Sequence, residues 1–181
     1  MKYLLKMIFA LLGAAALFTT ASAQTTGAYL KYALNGKTIS VKSDKLSCYN
    51  SFEPGDEGEK ANNEHVFYVS DKQTYNMDIK IHTPPHTNPV VGKMPYVHTL
   101  YNKNSPSPAV HIALTKVEGE HYTFFGSGEG NTGSFEITKV AGGWVEGKFE
   151  LDMPKLYDDG AEVLHITNGS FRFKIEKEMK D

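Results

Sequence analysis

Seven histidines and a single cysteine are the side chains in this 181-residue sequence best suited to metal or nucleophilic chemistry. The tightest grouping is His82-Thr83-Pro84-Pro85-His86. Two imidazoles at this spacing hold zinc or copper when one helix face presents both. Pro84 and Pro85 forbid a helix here, since proline has no amide proton to give. A metal site at His82 and His86 would have to be built by a loop, with His65, His98, His111 or Met94 brought in from elsewhere. Two solvated loop histidines are the plainer reading.

Cys48 beside a histidine would make a nucleophile. It shares a strand face with Leu46, however, and no cysteine-protease signature surrounds it, so it reads as a small buried hydrophobe. Gly128-Glu129-Gly130-Asn131-Thr132-Gly133 matches the G-x-G-x-x-G pattern of dinucleotide sites. That pattern needs a strand before it and a helix after it, because the pyrophosphate rests on the helix N-terminus. Alternating residues 134–140 follow instead, so the match reads as a glycine-rich hairpin loop. Asp56-Glu57-Gly58-Glu59 offers oxygens to calcium but lacks EF-hand spacing, and reads as a solvated acidic loop. No G-x-S-x-G or H-E-x-x-H pattern is present, so no catalytic residues and no cofactor are expected.

The aromatics offer a different chemistry. Tyr29, Tyr49, Tyr68, Tyr101, Phe125 and Trp144 fall opposite the apparent core stripe or at strand ends. Exposed rings stack on sugars or line the mouth of a small-molecule site. Trp144, Tyr101, Phe125 and Tyr68 are the expected ligand-binding residues, at a rim shared with residues 83–95 and 126–133.

The elements that must position these groups are strands. Leu30, Tyr32 and Leu34 alternate with polar or small residues, Asn35-Gly36 follows, and Ile39 and Val41 resume the alternation. Asn-Gly between two such runs predicts a two-residue hairpin, with Tyr32 opposite Ile39 and Leu30 opposite Val41. Strands are predicted over 45–52, 66–69 and 74–82, the last with Tyr75, Met77, Ile79 and Ile81 on one face. Residues 83–108 hold six of the eight prolines and read as long loops around one edge strand at 96–101. Further strands carry Val110, Ile112 and Leu114, then Tyr122 and Phe124, then Phe135 and Ile137. A three-residue loop at 142–144 is expected to set Ile137 opposite Phe149, with a bulge. Asp159-Gly160 is expected to set Leu156 opposite Val163, and Phe171, Phe173 and Ile175 close the chain. About ten strands with hairpin connections and no βαβ pattern predict an all-β fold, either a barrel or a sandwich.

Residues 1–23 read as a secretory signal peptide: Lys2 and Lys6, an apolar run over 8–18, and Ala21-Ser22-Ala23 before Gln24. The expectation is therefore an exported protein, periplasmic or secreted, with residues 24–181 forming a single all-β domain. No later run is long enough to span a bilayer. Gln24 stands where a lipoprotein needs cysteine. Removing Lys2 and Lys6 takes the formal charge from −2 to −4, and no basic patch is present to track a phosphate backbone, so nucleic acid is not an expected partner. One cysteine allows no internal disulfide; ten Phe, ten Tyr and one Trp must supply the core.

Three stretches carry a family resemblance: Gly133-Ser134-Phe135-Glu136-Ile137-Thr138-Lys139, Val145-Glu146-Gly147-Lys148-Phe149 and Ile166-Thr167-Asn168-Gly169-Ser170-Phe171. Through them the C-terminal third resembles small exported β-proteins of Bacteroidota, mostly without assigned function and described in places as lipocalin-like. The resemblance implies an envelope or secreted location and a β-barrel or sandwich, and carries no site residues across. The functional expectation is a non-enzymatic β-domain binding a small apolar or amphipathic ligand or an envelope partner. A carbohydrate-binding module with an aromatic platform and a histidine-based metal-binding protein are the alternatives.

Overall fold

A computed structural model describes residues 27–56, 58–69, 73–98, 102–157 and 162–179. The leader reading, Tyr101 and the Asp159-Gly160 turn lie outside the described residues. Within them the chain forms eleven strands: β1 (Tyr29–Leu34), β2 (Lys37–Val41), β3 (Leu46–Glu53), β4 (Asn62–Val69), β5 (Tyr75–Thr83), β6 (Gly92–Met94), β7 (Ala109–Glu118), β8 (His121–Gly126), β9 (Gly133–Ala141), β10 (Trp144–Pro154) and β11 (Val163–Lys174). A single 3-10 turn, Ser43–Lys45, joins β2 to β3. No helix among the described residues is long and apolar enough to cross a membrane.

The strands form two antiparallel sheets, ordered β2-β1-β11-β10-β9-β6 and β3-β4-β5-β7-β8. One apolar cluster draws on both, with Leu30, Phe135, Phe149 and Phe171 from the first sheet and Phe67, Ile79, Ile112 and Leu114 from the second. The arrangement is sandwich-like. The barrel left open by the sequence, including its lipocalin-like form, is corrected: each sheet keeps two edge strands. Isolated bridges between Phe125 and Lys155 and between Tyr96 and Val110 lace the sheets without closing them.

The β1–β2 hairpin forms as the Asn-Gly signal requires. Asn35 and Gly36 adopt φ of 46° and 82°, and Tyr32 faces Ile39 while Leu30 faces Val41. The β9–β10 turn differs from expectation. It is a two-residue Gly142-Gly143 turn, both at positive φ, with Ala141 opposite Trp144. The expected bulge lies further along, where the register shifts between Glu146 and Gly147. That shift sets Phe135 opposite Phe149, so the demand to bury both rings is met by a different residue count.

Two further registers need correction. Pro154, not Leu156, faces Val163, and Leu156 instead donates its amide to Phe124 O at 2.7 Å. In β8 the inward ring is Phe125, opposite Leu114, while Tyr122 and Phe124 face outward. Both parities of this short strand carry an aromatic, so alternation alone does not choose its face. Among its described residues the proline-rich stretch yields only the three-residue β6 at 92–94, ahead of Pro95; at 96–97 the chain makes an isolated bridge to β7.

Aromatic stacking runs through the core. Phe67 stacks on Phe173 at 5.2 Å, Phe173 on Phe171 at 5.8 Å, and Phe171 on Phe135 at 5.3 Å. Such pairs add roughly 0.5–1.5 kcal/mol each beyond their burial. With no disulfide available, this column ties β4 of one sheet to β11 and β9 of the other.

Candidate functional site

Among the described residues, Trp144, Tyr68, Phe125, His82 and His86 do not converge on one site. Trp144 sits half-buried on the outer face of the first sheet, where the Arg172 guanidinium lies 3.9 Å above its ring. Arg172 is in turn held by Glu146 Oε1 at 3.2 Å and by Gly27 O at 3.0 Å. The ring is thus covered on one face by its own protein. Tyr68 is half-buried on the outer face of the second sheet, edge-on to Tyr49 with ring centres 6.0 Å apart. Phe125, expected at an exposed rim, is fully buried in the core.

The two histidines also part company. His82 is completely buried on the outer face of the second sheet, and its Nδ1–H donates to Asn62 Oδ1 at 3.0 Å. This corrects its reading as a loop residue: β5 extends through Thr83 before the prolines end it. His86 is exposed, in a left-handed conformation with φ of 58°. Its ring stacks on Phe52 at 4.5 Å, and its Nδ1 lies 3.2 Å from Glu178. Phe52 and Asn63, which touch His86, point to the sheet face opposite His82. Among the described residues no three His, Cys, Asp or Glu side chains are grouped to hold a metal ion.

Cys48 faces Phe67 on the inner side of the second sheet and is half-buried, less enclosed than expected; burial pushes its thiol pKa up, away from nucleophilic chemistry. The glycine-rich loop is explained by its own folding. Asn131 Oδ1 accepts the Gly128 amide, Asn131 Nδ2 donates to Asp152 O at 3.0 Å, and Thr132 donates to Asp152 Oδ2 at 2.7 Å. A Cβ at Gly133, whose φ is 130°, would stand 1.9 Å from Glu150 O.

A cavity lies elsewhere, at the corner where the chain leaves the first sheet for the second. Its volume is about 750 Å³, within the range that holds a drug-sized molecule. The β1–β2 hairpin, the 3-10 turn and the start of β5 build it. Leu34, Ile39, Val41 and Tyr75 give it an apolar side. Lys37, Lys42, Lys45 and Asp44 give it a charged rim, with Ser40, Gln73 and Thr74 between. The apolar residues are there because β2 is an edge strand: Ile39 pairs with Tyr32 on one side, and the ladder ends with β2 on the other.

Tyr32 lies beside this cleft as the cross-strand partner of Ile39. It is 1% exposed, and its hydroxyl has no hydrogen-bond partner among the described residues. Burial raises its pKa, and Tyr75 nearby adds to the rise, so the phenol stays protonated and able to donate. A buried hydroxyl without a partner forfeits roughly 1–3 kcal/mol.

A smaller polar recess of about 340 Å³ lies among Asn50, Asn63, His86 and the C-terminal segment. Asn63 Nδ2 donates to Asn50 Oδ1 at 3.0 Å and to Glu178 Oε2 at 2.7 Å, so this recess is largely occupied with holding residues 175–179 in place.

None of the expected site residues among the described ones lines the larger cleft. The signal for it was present in the chain. Lys37, Lys42 and Lys45 bracket a strand whose apolar residues have no further strand to cover them. No protein-family model, no curated protein and no solved structure matches this chain. The fold and cleft therefore define a structural class only: an antiparallel, sandwich-like β-protein with an open corner cavity.

Proposed function

We propose that this protein binds a small amphipathic molecule in the cleft between β2, the 3-10 turn and the start of β5, without catalysing a reaction on it. The observation that carries the reading is a cavity of about 750 Å³ with one apolar side and one polar rim. Pockets of this size and lining bury most of a small ligand while a few polar groups orient it. Loops and edge strands on a rigid β-scaffold are the common place for such sites. We also propose that the protein works outside the cytoplasm, on the strength of its leader-like N-terminus; N-terminal sequencing of the protein from its host, starting at Gln24, tests this.

The test of binding uses N-phenyl-1-naphthylamine, an uncharged fluorophore that brightens in apolar surroundings. Saturable brightening with the native protein, abolished when Ile39→Trp fills the cleft, supports the reading. No saturable signal, or one that Ile39→Trp leaves unchanged, removes it.

A second reading, carbohydrate binding, is favoured by one surface feature. Tyr122 and Phe124 project from the outer face of β8 at 55% and 44% exposure, and Tyr157 beside them is 89% exposed. Tyr157 holds φ of 62°, a region aromatic residues rarely adopt. Exposed rings on a rigid strand can stack on sugar faces. Retention on a polysaccharide matrix that Tyr122→Ala and Tyr157→Ala abolish supports this reading; absence of retention on every glycan tried counts against it.

A further inference from the structure

We infer that the head group recognised in the corner cleft is an anion, so that the ligand is an anionic amphiphile rather than a neutral or cationic one. This rests on the cleft reading above and adds the ligand's chemical class to it. Among the described residues that line the cleft, three are lysines, Lys37, Lys42 and Lys45, and one is a carboxylate, Asp44. The chain as a whole carries a formal charge of −2, so this corner opposes the sign of the molecule. Such a local reversal attracts anions and repels cations.

The lysines also have the right placement. Lys37 pairs with Leu34 and so projects from the same side of the hairpin as the apolar Ile39 and Val41. An inward-pointing lysine on an edge strand does guard against unwanted strand pairing. That explanation covers Lys37 alone. Lys42 and Lys45 lie beyond β2, one just before and one at the end of the turn that leads to the second sheet. Three ammonium groups from two elements around one apolar cavity make a rim for the charged end of a molecule whose tail lies on Leu34, Ile39 and Val41. Long lysine stems lie readily along such a tail while their heads stay in water.

The test compares dodecanoate, dodecyl sulfate, dodecyltrimethylammonium and an uncharged dodecyl glucoside, below their micelle concentrations, as displacers of N-phenyl-1-naphthylamine. The native protein and the Lys37→Gln/Lys42→Gln/Lys45→Gln variant are measured side by side, with far-UV circular dichroism to check folding and the three single variants as a second series. The expected result is that the two anions displace the fluorophore at about tenfold lower concentration than the glucoside, as two exposed ion pairs of ordinary strength would give. The advantage should fall to within about twofold in the triple variant and shrink in 0.5 M salt, where screening is nearly complete. Sulfate and carboxylate then divide by their own ratio, which identifies the preferred anion. Equal displacement by all four in the native protein overturns the inference while leaving the cleft reading intact, and so does an anion preference that survives loss of the three lysines. Failure of the fluorophore to bind at all, or insensitivity to Ile39→Trp, overturns the cleft reading itself.

Discussion

Gly147→Ala should destabilise this protein by about 2 kcal/mol, although alanine is an ordinary strand residue and Gly147 needs no unusual backbone angle. The reason is a close approach in β10. A Cβ at Gly147 would stand 2.3 Å from Phe171 Cζ, 2.7 Å from Phe171 Cε1 and 2.6 Å from Glu136 O. Non-bonded carbons rest about 3.5–4.0 Å apart, so the ring would have to withdraw by roughly 1 Å or more. Its neighbours prevent that: Phe171 stacks on Phe135 and Phe173 and tilts against Phe149 at 6.3 Å. Glu136 O belongs to the β9 backbone and is fixed by the ladder. Overpacking of this kind costs about 1–3 kcal/mol, and the backbone clash puts this case in the upper half. Removing a strand glycine returns about 0.5–1 kcal/mol, which leaves the net figure near 2. The assay is urea unfolding, followed by far-UV circular dichroism and by Trp144 fluorescence; the equivalent loss of Tm is roughly 4–8 °C. Phe171→Leu removes the offending ring atoms, so a double-mutant cycle should recover about half of the penalty. A Gly147→Ala protein within 0.5 kcal/mol of the native one would refute the packing argument, because the close contact would then not exist in solution.

Stability should also fall on mild acidification. Burial, with repulsion from His111 when that ring is protonated and from Lys80, pushes the His82 imidazole down to about 3. Burial likewise brings His111 to about 4, against a carbonyl contact with Val97 that pulls the other way. Both are neutral when folded, whereas the unfolded chain titrates near 6.5. Protons therefore bind the unfolded chain first. The stability these histidines contribute is complete above about pH 7 and is lost as pH falls towards 3, a decline of several kcal/mol in all. The slope of urea midpoint against pH should flatten in His82→Gln and in His111→Gln; an unchanged slope in both would remove the histidines as its cause. At the same end of the second sheet but on its opposite face, hydrogen bonds from Asn63 and His86 lower the Glu178 pKa. Its hold on residues 175–179 should be present above about pH 4.5 and fade as pH drops through the depressed value. Glu178→Gln should quicken hydrogen exchange at the Met179 amide, which donates to Asn50 O at 2.9 Å; an exchange rate equal to the native one would show that Glu178 does not secure the strap.

Much of the fold could be read directly from the chain. Asn35-Gly36 dictated one hairpin down to its register, because only positive φ at both positions lets the flanking apolar residues meet. Tyr75, Met77, Ile79 and Ile81 revealed the inner face of β5 by strict alternation. Alternation failed where both parities are bulky, as in His121–Gly126, and where polar residues are buried, as at Asn62–His65, which lengthen β4 beyond its apolar end. The barrel and the sandwich were indistinguishable, since edge pairing between distant strands leaves no local mark. The candidate site was less legible still. Exposed aromatics drew attention to Trp144 and Phe125, yet a cation covers one ring and the core encloses the other. The corner cleft depends on which strand ends a sheet, and that is decided by tertiary pairing, not by any motif.

The place of β1 has a consequence for how the chain must be assembled in time. This strand lies between β2 and β11, with Leu30 against Phe171 and Tyr29 against Arg172. The whole second sheet is encoded within residues 46–126, so a growing polypeptide could pair it early. The first sheet cannot be finished in that way. Its early hairpin waits, one edge bare, until residues 163–174 arrive to join it to β10. A nascent chain stopped short of residue 163 therefore lacks a central strand rather than a dispensable rim, and leaves Phe67, the stacking partner of Phe173, without its cover. The early hairpin is therefore joined to the rest of its sheet only after β11 has emerged, late in the order of synthesis of these strands.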